Sequence, residues 1–224
     1  MKNILLAALI LSIGILSCGK SDSSGGGGTT TDSYMSLTAG QTRTYEVYDS
    51  SNGVNSYSTY NLTSTSRDSA IGSRSYHVFT NSGSGGSEYY NVSGNDYYTF
   101  QQLPSALGGT SVDQLYLKTG AAVGQTWTGT INITSPIAVT LSVLYKVKET
   151  GLTKTVNGIS YSNVIHVESV ISAPFPFTTA LTSDIQTYYA PKYGLILNSS
   201  LININYLGIT NNVNTDTKLK AVNF

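Results

Sequence analysis

The chain has 224 residues with twelve Lys/Arg against twelve Asp/Glu, and charged residues make up only 11% of it. A neutral chain without a basic cluster excludes nucleic-acid recognition and binding to anionic lipid through a polybasic patch. The single Cys excludes a disulfide framework, so the fold must be held by its own core.

The first element is Met1-Lys2-Asn3, followed by an apolar run from Ile4 to Leu16 and then Ser17-Cys18-Gly19. A short cationic start, an apolar stretch and small residues at the cut predict a signal peptide over 1–17. The run is too short to cross a ~30 Å hydrocarbon layer as a helix, which favours cleavage over a permanent span. Leu16-Ser17-Cys18-Gly19 resembles the relaxed lipobox of Bacteroidota-like lipoproteins. The resemblance implies that Cys18 takes a diacylglyceryl group and becomes the first mature residue, so that the membrane is a partner through a lipid anchor. Gly19, standing where an acid would retain the protein in the inner membrane, implies the outer membrane, on either its periplasmic or its outer face. Residues 18–33 then read as a tether rich in Gly, Ser and Thr, a flexible coil reaching about 20 Å.

From Tyr34 onward, alternation of apolar and polar residues dominates, clearest at Val139, Leu141, Val143, Tyr145 and Val147. Asn52-Gly53, Asn157-Gly158 and Gly83 to Gly86 supply turns between such runs. The prediction for 34–224 is one all-β domain, a large antiparallel curved sheet or half-barrel of ten to twelve strands. Only Leu103–Leu115 and Thr178–Ile185 leave room for a short helix. Trp127, the one Trp, opens a predicted strand and is expected to be a buried core anchor. Ala39-Gly40-Gln41-Thr42 is echoed by Val123-Gly124-Gln125-Thr126, and Glu88-Tyr89-Tyr90 by Thr187-Tyr188-Tyr189. Two readings stand: two related halves over 38–118 and 122–207, or chance similarity among low-complexity strands.

No motif predicts catalysis. His77 and His166 both fall in strands with no acid at a metal-ligand interval, so structural roles are expected and no metal site or cofactor is predicted. The Ser-rich chain has no Gly-x-Ser-x-Gly elbow, and its acids are scattered singly. Asp68-Ser69-Ala70 matches a short O-glycosylation pattern, which would place a glycan on Ser69 at a turn.

The longest motif is Thr187-Tyr188-Tyr189-Ala190-Pro191-Lys192-Tyr193-Gly194-Leu195-Ile196. With Gly124-Gln125-Thr126-Trp127 and Val164-Ile165-His166-Val167 it resembles a set of envelope β proteins akin to the half-barrel lipoprotein carriers LolA and LolB. Pro191-Lys192-Tyr193 departs from the Gly-Val of that pattern. The resemblance implies a concave sheet face able to hold a ligand. Val139, Leu141, Val143 and Tyr145 are the expected lining of such a groove. Phe175 and Phe177, on an apolar segment stiffened by Pro174 and Pro176, are expected either to cover it as a lid or to plug the sheet as core. Two function classes follow: a non-enzymatic binding or carrier lipoprotein for an apolar or glycan ligand, or a structural or adhesive surface lipoprotein meeting proteins or polysaccharide.

Overall fold

The computed structural model describes residues 33–103, 105–135, 138–178, 181–206 and 209–224. The predicted signal, Cys18 and the tether before Ser33 lie outside the described residues.

The expected all-β architecture is present, as one antiparallel sheet of twelve strands rolled into a nearly closed barrel. In chain order the strands are β1 (Thr42–Asp49), β2 (Ser56–Ile71), β3 (Arg74–Asn81), β4 (Gly86–Ser93), β5 (Asp96–Gln102) and β6 (Ser111–Lys118). The second six are β7 (Thr126–Ile133), β8 (Val139–Val156), β9 (Ile159–Ser172), β10 (Leu181–Ala190), β11 (Gly194–Tyr206) and β12 (Ile209–Asn223). The order around the sheet is β6-β5-β4-β3-β2-β1-β12-β11-β10-β9-β8-β7. Two meanders of neighbouring hairpins therefore join through β1 and β12, with Thr42 opposite Asn223 and Asp49 opposite Thr215. Where a short helix was allowed for, after Leu103, a 3-10 turn at Ser105–Leu107 leads into β6.

The hairpins follow from local chemistry. Asn157 and Gly158 both take positive φ, 51° and 79°, the pair of left-handed residues a two-residue turn needs to match the strand twist. The two meanders also start alike. Gly40 (φ 84°) donates its N–H to the Ser64 carbonyl at 2.8 Å, and Gly124 (φ 87°) donates to Val147 at 2.8 Å. In each case the following Gln accepts the return bond, at 2.9 Å from Ser64 and 3.0 Å from Val147. The second meander runs past residue 207, since β12 continues to Asn223 and is the strand that pairs with β1.

The interior is built from the strand faces that alternation assigns inward. On β8 and β9, Leu141, Val143, Tyr145, Val147, Val167 and Ile171 are all buried and pack as a dry core. On the β1–β6 side the inward residues are larger and more polar, among them Arg43, Tyr45, Phe79 and Tyr116.

β6 and β7 are consecutive in the chain but form no ladder, leaving a seam. It is bridged by isolated bonds: Trp127 Nε1–H to the Leu115 carbonyl at 2.7 Å, Thr134 N–H to the Leu107 carbonyl at 3.1 Å, and the Thr110 hydroxyl to the Asn132 carbonyl. Trp127 stacks on Tyr145 at 5.4 Å and 8°. It is half-buried rather than fully buried, because β7 has no hydrogen-bonded neighbour on its outer side.

Candidate functional site: a tyrosine-lined cavity in the barrel

Antiparallel geometry sets two rims. Ser33, the start of β1 and the end of β12 lie at the proximal rim; the β1–β2 and β9–β10 connections lie at the distal rim. The proximal rim is closed by the chain's own lead-in. Arg43, fully buried, donates Nε–H to the Tyr193 carbonyl at 2.7 Å and Nη2–H to the Ser36 and Lys192 carbonyls at 3.1 Å each. Its guanidinium also lies 5.2 Å from the Phe224 ring centre. Lys192 N–H in turn holds the Ser33 carbonyl at 2.6 Å.

Above this plug, toward the distal rim, the interior is not filled. A cavity of about 250 Å³ lies between the inward faces of β1, β2, β4–β6 and β10–β12. Its walls are largely phenol rings. Tyr45 and Tyr60 stack at 5.2 Å and 25°, cross-strand partners on β1 and β2. Tyr116 on β6 meets Tyr189 on β10 at 5.5 Å and Tyr90 on β4 at 6.2 Å. Burial pushes the phenols of Tyr45, Tyr60, Tyr90, Tyr116 and Tyr189 above the ordinary 10.0, so all are neutral hydroxyl groups. At the distal end the lining includes Gln101 and Gln102, both exposed, so solvent reaches the cavity from that rim.

Polar groups interrupt the rings, among them the buried Arg43, whose Nη1 has no hydrogen-bond partner among the described residues. Glu88 on β4 points into the barrel beside Tyr90, two residues on along the same face. Its Oε1 accepts from Asn81 Nδ2 at 2.5 Å and its Oε2 from the Tyr90 hydroxyl at 2.5 Å. Across the cavity, Asn198 Nδ2 donates to Thr187 Oγ1 at 2.9 Å, while the buried Thr217 hydroxyl has no partner among the described residues.

The residues predicted from sequence as ligand contacts stand elsewhere. Val139, Leu141, Val143 and Tyr145 do face the barrel interior from β8, but they pack in the dry core and none lines the cavity. Phe175 is 87% exposed beyond β9 at the distal rim, and Phe177 is half-buried with its N–H on the Pro174 carbonyl at 2.7 Å. Neither lines the cavity. Ser69 lies not at a turn but within β2, opposite Tyr76 and half-buried. Cys18 is outside the described residues.

Both histidines have an acid within hydrogen-bond distance. His166 places Nδ1 3.1 Å from Glu149 Oε2 and Nε2 2.6 Å from Gln186 Oε1, and its ring stacks on Tyr188 at 4.1 Å. His77 sits between Asp68 Oδ1, at 2.7 Å from Nδ1, and Ser64 Oγ, at 2.8 Å from Nε2. A bulge in β2 between Ser64 and Asp68 brings the three together. The order is that of a nucleophile, base and orienting acid, but burial runs the wrong way for such chemistry. Ser64 is 1% exposed, and its hydroxyl proton goes to the Leu37 carbonyl at 2.9 Å. The trio therefore pins the N-terminal lead-in to β2. Among the described residues no three His, Cys, Asp or Glu side chains group as metal ligands, and no helix is long and apolar enough to cross a membrane.

No protein-family model matches the chain, and no curated protein matches it. Among solved structures, a Bacteroides fragilis protein proposed to be exported, with a YmcC-like fold, is similar over 86% of this chain and 100% of its own. The identity is 12% and the TM-score 0.44, a likeness too low to carry any inference about what this chain binds.

Proposed function

We propose that this is a non-enzymatic binding or carrier lipoprotein of the cell envelope, anchored at the outer membrane through Cys18, that holds a small apolar or glycan-type ligand inside its barrel. The observation that carries this reading is the tyrosine-lined cavity, open toward the distal rim and plugged at the proximal rim by Arg43. At about 250 Å³ it sits just below the ~300–1,000 Å³ of ordinary ligand pockets, so it suits a single small molecule and not a multi-chain lipid. Stacked phenol faces offer apolar contact and the unpartnered Thr217 hydroxyl offers a hydrogen bond, a mixture suited to an amphipathic ring. Ser33, the first described residue, lies at the proximal rim, opposite the mouth of the cavity.

The test is ligand-observed NMR on the full chain with benzyl alcohol and methyl glucoside as probes, in the native protein and in Thr99→Trp and Gln101→Trp. Thr99→Trp fills the cavity; Gln101→Trp narrows the exposed mouth without touching the core. Binding of a probe that is lost in both variants at unchanged melting temperature supports the reading. Equal binding in all three, or none in the native chain, defeats it.

The adhesive reading has one observation in its favour. Val54, Tyr57 and Phe175, 69%, 81% and 87% exposed, all belong to distal-rim connections or their immediate flanks. They are the three most exposed large apolar side chains among the described residues, and side chains so exposed suit contact with another surface.

A further inference from the structure

We propose that the cavity selects a ligand bearing an organic ammonium group, seated against the rings of Tyr45, Tyr60 and Tyr90 with Glu88 as its counter-charge. The inference rests on the cavity being a ligand site and adds the chemistry it recognises.

Glu88 is a half-buried carboxylate in a pocket of aromatic faces, and among the described residues no Lys, Arg or His lies within ion-pair distance of it. A charge withdrawn from water is retained at little cost only when it is paired. Asn81 and Tyr90 each donate one hydrogen bond to it, which fixes the carboxylate's position without forming an ion pair. Its field falls on the surrounding rings: Glu88 contributes to the raised phenol pKa of Tyr45, Tyr60 and Tyr90. A cation placed among those rings gains both the carboxylate and the negative ring faces, and the gain is larger away from bulk water.

The other charge in the wall does not compete for the same place. Arg43 is held at the proximal plug by three backbone carbonyls through Nε and Nη2 and lies near the Phe224 and Phe79 rings, while its Nη1 has no hydrogen-bond partner among the described residues, so an ammonium is seated on the Glu88 side of the cavity. A metal ion is a poor alternative, since hard cations gather several oxygen anions and Glu88 is the one acid in the cavity lining. An organic ammonium needs a single carboxylate and aromatic walls, the combination present.

Choline and 3,3-dimethylbutan-1-ol share one shape and differ in charge, so they separate charge recognition from cavity filling. Calorimetric titration of the full chain with each, repeated on Glu88→Gln, reads the effect. The expected result is choline binding at least tenfold tighter than the alcohol, with the difference abolished in Glu88→Gln. Equal affinities, or a preference for the alcohol, overturn the ammonium proposal while the cavity reading survives. Failure of both compounds, where benzyl alcohol or methyl glucoside binds, overturns it in the same way. Failure of every probe removes the cavity reading as well.

Discussion

Arg43→Lys is the substitution that most directly probes the proximal plug. The guanidinium fork serves three carbonyls from two separate segments, Ser36 in the lead-in and Lys192 and Tyr193 in the β10–β11 turn. Burial pulls its pKa below the ordinary 12.5, but a guanidinium starts so high that it keeps its charge. An ammonium at this depth cannot span the fork, and burial drives it toward the neutral amine. Losing two of the three charge-assisted bonds, at ~1.5–3 kcal/mol each, is offset in part by rehydration of carbonyls at the rim, for a net cost of about 3 kcal/mol. In a domain of this size 1 kcal/mol shifts the melting temperature by roughly 2–4 °C, so circular dichroism should show a fall of roughly 6–12 °C. The deficit should shrink as pH rises toward the unfolded-state lysine pKa, because the unfolded state then loses its advantage of binding the extra proton. A melting temperature within about 2 °C of the native chain, at ~1 kcal/mol or less, would refute the plug.

Three further outcomes are expected. Tyr45, Tyr60 and Tyr189 have folded pKa values raised above an unfolded 10.0, so their contribution to stability is complete below pH 10 and declines as pH climbs above it. Phenolate absorbance of this group should therefore appear only with unfolding, and early reversible ionisation in the folded state would contradict their burial. Trp127→Phe keeps a ring on Tyr145 but removes the indole bond to Leu115, costing about 1 kcal/mol and accelerating hydrogen exchange first in β6 and β7. Uniform exchange across the sheet would argue against a seam. Phe175→Ser, at a side chain 87% exposed, should change stability by no more than about 0.5 kcal/mol, whereas Phe177→Ser should cost more; reversal of that order in a thermal melt would show the loop to be misplaced.

The strands were legible wherever one face is consistently apolar. Val139 to Val147 announces both the strand and its inward side, and the structure agrees. β12 hides because its inward face carries Asn211, Thr215 and Thr217 beside Val213 and Leu219, which breaks the apolar period; its pairing with β1 is a contact no local pattern encodes. Asp68 and His77 were within reach: the Gly72-Ser73 turn pairs Ile71 with Arg74, and counting back along the hairpin sets Asp68 opposite His77. The bulge that adds Ser64 cannot be counted that way. For the cavity, Glu88 two residues before Tyr90 on one strand face was visible, but bringing Tyr45, Tyr60 and Tyr116 to the same space requires the curvature of the whole sheet. Leu and Val side chains pack to fill their half, while stacked phenols of fixed shape leave a void between them.

The placement of the seam bears on how the chain folds. Every hydrogen-bonded ladder within a meander is a hairpin ladder and can form early, but the sheet is joined only when Thr42 finds Asn223, far apart in the chain. Loop-closure entropy makes that pairing the slow event, and until it occurs β1 and β12 are two long bare edges able to pair with another chain. A permuted chain with the native ends linked and a new opening in the β6–β7 connection would read β7 to β12 and then β1 to β6. Its sequence order would then equal its order around the barrel. Such a chain would reach the same sheet by neighbour-to-neighbour zipping alone, and the difference in refolding rate between the two would measure what the native connectivity costs.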